Sequence, residues 1–185
     1  MPGTFLIVLA SVSLPALVLT KLGAPGGLQK LTHDTADALK VFESFPHVVA
    51  LSDSNNDTIF ECMEANRTAF DPIAKTATFV WAFGPPGSSN KLYVPFPQRV
   101  GNEPGTIEFW TPGDSTPREG RLYYTDYDAC AVLDFEILGH QCSLWVRRDA
   151  ITSLPQECVD QYEDTCGVVV PEQRKDLCAD SNINF

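Results

Sequence analysis

Residues 123–166 read YYTDYDACAVLDFEILGHQCSLWVRRDAITSLPQECVDQYEDTC, and four of the chain's six cysteines fall in them. Two strand-like runs, around Cys130 and around Trp145, flank the turn signal Gly139-His140, so the stretch predicts a hairpin. A helix-like segment follows, from Gln156 to Glu163. Each strand of the hairpin carries one cysteine, and the segment behind it carries Cys158 and Cys166. The hairpin is therefore placed to be tied to something outside its sheet, and that helix is the natural candidate.

Outward from this stretch the chain alternates strands and turns. Arg121 to Phe135 reads as the longest strand and Gln141 to Arg148 as the next. Upstream, Leu28 to Phe45 predicts a helix, because Leu31, Ala38, Leu39 and Phe42 recur at helical spacing and Pro46 stops it. His33 and Asp34 in it read as a solvated face. His47 to Leu51, Thr58 to Ala65, Lys75 to Phe83, Lys91 to Phe96 and Thr106 to Trp110 are strands. They are separated by Ser52 to Asn56, Asp71-Pro72, Gly84-Pro85-Pro86-Gly87 and a Pro/Gly loop. Pro95 and Pro97 push their strand toward a sheet edge or a bulge. Val168 to Val170 offers one more edge strand. About eight short antiparallel strands between two helices mean a sandwich or a barrel, and an eight-stranded barrel has room inside for one small ligand.

A chain of 185 residues suits one domain with a real core. Residues 1–20, MPGTFLIVLASVSLPALVLT, are apolar and uncharged; they read as a secretory signal peptide, leaving 21–185 as the domain. With 13 Lys+Arg against 24 Asp+Glu the net charge is −11, which argues against nucleic acid or an anionic membrane surface as partner. Secretion gives the cysteines their meaning. They are even in number, none forms a C-x-x-C pair, and only three histidines accompany them, so disulfides rather than a metal site are expected. The sequons at Asn56 and Asn66 fit the same compartment.

The pattern Y-x-D-x-D-x-C, then C-x-L-W-V, then P-x-x-C and a later cysteine resembles the C-terminal half of the tick salivary lipocalins, the histamine-binding-protein-like family. The resemblance covers Gly27 to Cys178. It implies an eight-stranded antiparallel lipocalin barrel with an N-terminal and a C-terminal helix packed outside. It also implies Cys62–Cys178 and Cys130–Cys158 disulfides, which leaves Cys142 with Cys166. By resemblance, too, the protein is a secreted monomer that sequesters a small host mediator of inflammation, a biogenic amine such as histamine, and so blunts host defence.

No catalytic motif is present, and three histidines are few for a nucleophile–base network, so neither an enzyme nor a cofactor is expected. A pocket-forming fold points to binding. Phe79, Trp81 and Phe83 share one face of their strand. If Cys130 is bonded to an outer helix it faces out, and Arg121, Tyr123, Thr125, Tyr127, Ala129, Ala131 and Leu133 face in, barring a bulge. Ser143 and Trp145 face in by the same argument. The family's amine binders carry acidic residues where this chain has Arg121, Ala131 and Ser143. A buried ammonium needs a carboxylate. Glu108 or Glu61 is a candidate acidic wall, and Trp81 or Trp110 a candidate aromatic face for a cation. Alternatively Arg121 pairs with a ligand carboxylate, as in a fatty-acid-derived mediator such as a leukotriene, or the ligand is a neutral lipid. A third reading is an inhibitor of a host protein, acting through the barrel loops.

Overall fold

Along the first strand, β1 (His47–Asp53), Val48 and Ala50 enter one apolar cluster while Val49 and Leu51 enter another. A strand buried on both faces has to sit between two layers. The inner layer is the interior of a barrel and the outer layer is a set of helices. In this computed structural model, which describes residues 34–55, 59–86, 88, 90–171 and 173–179, the remaining strands are β2 (Glu64–Asp71), β3 (Thr76–Phe83), β4 (Leu92–Val100), β5 (Thr106–Phe109), β6 (Arg118–Thr125), β7 (Cys130–Glu136) and β8 (His140–Arg147). Each pairs antiparallel with the next, and β8 pairs with β1, so the barrel is closed. Closure leaves no sheet edge open to another chain.

The helices divide between the two layers. The helix α1 (Ala38–Ser44) directly precedes β1 and lies across the barrel end where the β2–β3, β4–β5 and β6–β7 turns meet. Its start is set by Asp37, whose Oδ1 accepts from Leu39 N at 2.9 Å and Lys40 N at 3.2 Å. Two further contacts hold it down. Tyr127 Oη, from the β6–β7 turn, accepts from Asp37 N at 2.7 Å, and the Arg67 guanidinium donates to the carbonyls of Phe42 and Glu43. A 3-10 turn (Arg148–Ser153), α2 (Gln156–Cys166) and α3 (Gln173–Ala179) pack outside β7, β8 and β1. All three disulfides lie in that outer layer. Cys130–Cys158 and Cys142–Cys166 tie β7 and β8 to α2, and Cys62–Cys178 ties the β1–β2 loop to α3.

The residues thus fold as the lipocalin barrel expected, with five local differences. In the described part of the first helix only Ala38–Ser44 is helical, because Asp37 caps there. Residues 59–62 are a turn, and β2 runs from Glu64 through Asp71 rather than from Thr58 to Ala65. β4 extends to Val100 through Pro95 and Pro97. Val100 N bonds to Lys75 O, directly before β3, so alternate N–H positions put the two missing donors on the other side, where β5 pairs only from Gln98 onward. The long strand from Arg121 to Phe135 is two strands. Asp126 Oδ1 accepts from Asp128, Ala129 and Cys130 N at 2.8–3.0 Å and closes a turn in which Tyr127 has φ +58°. Finally, 168–170 is not a strand: the closed barrel has no free edge, and Val170 packs on the outer cluster beside α3. The proposed signal peptide, His33 and the Asn56 sequon lie outside the described residues. Asn66 sits half-buried on β2. Among the described residues no helix is long and apolar enough to cross a membrane.

Candidate functional site

The barrel interior is built by alternation. On β3, Ala77, Phe79 and Trp81 point in; on β7, Ala131, Leu133 and Phe135; on β8, Trp145. Between these side chains and α1 lies a cavity of about 60 Å³. Its lid is Val41, Phe42 and Phe45, and its wall is Val48, Ala65, Phe79, Trp81, Gln98, Ile107, Leu122, Ala131, Leu133 and Trp145. The opposite half of the barrel is filled. Phe60 from the β1–β2 turn meets Trp81, Phe83 and Phe135 edge-on at 5.8–6.2 Å, and Trp81 lies 4.3 Å from Phe96 and 5.3 Å from Trp145. Offset and edge-on rings pack without voids and rigidify that end.

Polar groups inside are few and mostly spent on one another. Trp145 Nε1 donates to Ser143 Oγ at 2.9 Å, and Ser143 Oγ donates to Leu133 O at 3.2 Å. Gln141 is fully buried, with Nε2 donating to Ile137 O at 3.1 Å. Gln98 is the exception: it is only 8% exposed, it lines the cavity, and its side-chain amide makes no hydrogen bond to a described residue.

Every charged candidate lies outside. Ile107 and Phe109 occupy the interior, so Glu108 and Trp110 face out. There Arg99 bonds to Glu108 at 2.5 Å and stacks 5.3 Å from the Trp110 ring. Glu61 pairs with Arg174 of α3 at 2.5 Å. Arg121 also faces out, 48% exposed at its side chain and beside Glu119, and does not reach the cavity. The physical cause is a bulge: Leu122 pairs with Leu133 but Tyr124 with Val132, so Tyr123 is an extra residue. Upstream of it the alternation reverses, Leu122 points in, and Tyr123 joins the outer cluster. Burial there pushes the Tyr123 hydroxyl pKa up. Tyr127 sits in a turn, outside any alternation, holding α1 with Lys40 Nζ 3.9 Å from its ring centre. Ala129 packs in the outer cluster. The fully buried carboxylate Glu64 is on the outer face too, since its neighbours Met63 and Ala65 point in; His47 Nε2 lies 2.7 Å from it. Asp134, on the outer face of β7, has its pKa raised by burial, with His140 opposing. Asp126 lies close to Cys130 and Cys158, but both sulfurs are bonded to each other and the carboxylate serves the turn, so the trio is no metal centre.

Of the residues singled out from sequence, Phe79, Trp81 and Trp145 line the cavity together. Ser143 supports Trp145 from within, and Phe83 belongs to the aromatic plug rather than the cavity. Glu108, Trp110, Arg121, Tyr123 and Tyr127 do not line it. Sequence reasoning passed over the lid residues and Gln98. The signal for Gln98 was present: it stands two residues after Phe96, which shares its face of the strand.

A protein-family model described as tick histamine binding protein matches residues 30–178. No curated protein sequence matches the chain. Among solved structures, the chain is similar to AM182 in a serotonin complex, with TM-score 0.52 and 15% identity over 72% of this chain and 87% of that one. It is similar to insecticyanin from the tobacco hornworm Manduca sexta, with TM-score 0.52 and 15% identity over 75% of this chain and 78% of that one. It also aligns with japanin from Rhipicephalus appendiculatus bound to cholesterol, with TM-score 0.49 and 13% identity over 69% of this chain and 94% of that one.

Proposed function

The chain belongs to the tick histamine-binding protein family, and from that premise we propose that it is a secreted, salivary, stoichiometric scavenger of a small, neutral, largely apolar host mediator of inflammation. The observation that carries this reading is the cavity wall: among the described residues, none that lines it is charged. A protonated amine moved from water into such a wall loses its hydration and finds no carboxylate in return, which is costly enough to exclude tight binding. A ligand carboxylate fares no better, since Arg121 points away. An uncharged frame meets Phe79, Trp81 and Trp145 and gains by the burial of apolar surface. Three disulfides support secretion, because such bonds persist in oxidising compartments.

The site has to open to work. A cavity of about 60 Å³ is well below the roughly 150 Å³ that holds one benzene. The short helix α1 supplies the lid: Phe42 and Phe45 plug into the apolar interior, and a few local hydrogen bonds from Tyr127 and Arg67 pin the helix in place. It is the element that yields when a ligand enters.

Calorimetric titration of the secreted protein with histamine, serotonin, a leukotriene and a neutral sterol or fatty alcohol tests the reading. Binding confined to the neutral compounds is the expected result. Submicromolar histamine binding by the wild-type chain refutes it.

A further inference from the structure

Gln98 stands at an inward position of β4, paired with Ala77 on one side and Phe109 on the other. Its backbone groups belong to the barrel ladder, so only the side chain is available to the interior. That side chain is an amide with one acceptor oxygen and two donor hydrogens. Phe79, Ile107 and Leu122, all apolar, belong to the same wall. A buried polar group ordinarily finds a partner, and one held open toward a cavity without any is costly to keep. Ser143 and Trp145 satisfy each other, and Gln141 bonds through Nε2 to Ile137 O with its Oε1 left unpartnered away from the cavity lining, whereas neither end of the Gln98 amide has a described partner and Gln98 does line the cavity.

We propose that Gln98 is the residue that reads the ligand: the interior site takes a small neutral molecule with one hydroxyl or carbonyl group, which the Gln98 amide hydrogen-bonds while the rest of the frame packs on the apolar wall. The inference rests on the neutral-ligand reading above and adds to it. An uncharged amide favours an uncharged partner, and a wall whose described residues offer a single open polar side chain orients a ligand with a single polar group. Discrimination then follows from the unmade bond, because a site built to bond a hydroxyl rejects the analogue that lacks one.

The test uses a matched probe pair, phenol and toluene, which differ by a hydroxyl for a methyl. Both are titrated into the wild-type protein, Gln98→Leu and Gln98→Met, following the Trp145 Nε1–H resonance by NMR. The quantity read is the ratio of toluene to phenol dissociation constants, which cancels the general effect of each substitution on the cavity. The expected result is a ratio about 10-fold lower in both variants than in wild type, from weaker phenol binding with toluene unchanged or tighter. An unchanged ratio, with both probes still bound, overturns the role of Gln98 and leaves the neutral-ligand reading standing. If neither probe binds the wild-type protein, that reading falls and this inference with it. Replacing the amide removes a buried polar group without a protein partner, so both variants are expected to melt no lower than wild type. Thermal unfolding of each checks that the comparison is made on folded protein.

Discussion

Cys62–Cys178 closes the longest of the three covalent loops, and its removal makes the sharpest stability test. The sequence separations are 116 for Cys62–Cys178, 28 for Cys130–Cys158 and 24 for Cys142–Cys166. Chain entropy lost from the unfolded state gives about 4.8, 3.6 and 3.4 kcal/mol respectively at 25 °C. The perturbation is a paired Cys→Ala change at one disulfide at a time. Alanine is chosen because all six sulfurs are buried and a serine hydroxyl would be stranded there. For Cys62–Cys178 the native state keeps other ties on α3: Arg148 donates to Cys178 O at 2.6 Å and Ala179 O at 3.0 Å, and Arg174 pairs with Glu61. The loss should therefore come mainly from the unfolded state. The assay is urea unfolding under non-reducing conditions, reading both the midpoint and the slope. Opening the long loop lets the unfolded chain expand, so the slope should rise as the midpoint falls. The Cys62/Cys178 pair should cost about 1.3 kcal/mol more than either short-loop pair. Equal losses for all three pairs, or an unchanged slope for the longest, would refute the unfolded-state account and place the stabilisation in native contacts.

Further expectations follow from the site and its frame. Ala131→Asp puts a carboxylate on the cavity wall and should gain at least about 10-fold in serotonin affinity at neutral pH. Without ligand its buried carboxyl has a folded pKa above the unfolded one, so the variant's stability deficit should be present at neutral pH and vanish on acidification below the unfolded pKa, read by thermal melts across pH. Tyr127→Phe removes the hydrogen bond to Asp37 N and loosens α1; stopped-flow fluorescence should show faster ligand entry, with about 1 kcal/mol or less lost in global stability. Asp126→Ala strips one acceptor from three backbone donors of the β6–β7 turn and should cost about 2–3 kcal/mol in chemical unfolding. Trp145→Phe frees the Ser143 hydroxyl from its donor and should weaken binding of apolar ligands several-fold in the same titrations used for the wild type.

Much of the architecture was legible in the residues because it depends on local rules. Period-two alternation placed Phe79 and Trp81 on one face, and both line the cavity. The spacing of turns limited the chain to a sandwich or a barrel, and the cysteine pattern carried a likeness that implied the barrel and two of the disulfides, the third following by exclusion; all are present. What local rules do not encode is where alternation slips. One extra residue at Tyr123 turned Arg121 outward and Leu122 inward. The Asp126 turn cut one apparent strand into two, through hydrogen bonds that any Asp in a polar run is able to make. Charge placement was likewise a tertiary matter. Glu61, Glu64 and Glu108 each found a partner on the outer face, from α3, β1 and β4 respectively, and such partnerships depend on which elements the closed barrel brings side by side. The composition alone left an acidic pocket open as an option. The fold put every one of those carboxylates outside and left Gln98 as the one side-chain amide among the described residues of the cavity wall, because barrel closure, bulge position and the seating of α1 decide jointly which face of each strand is the interior.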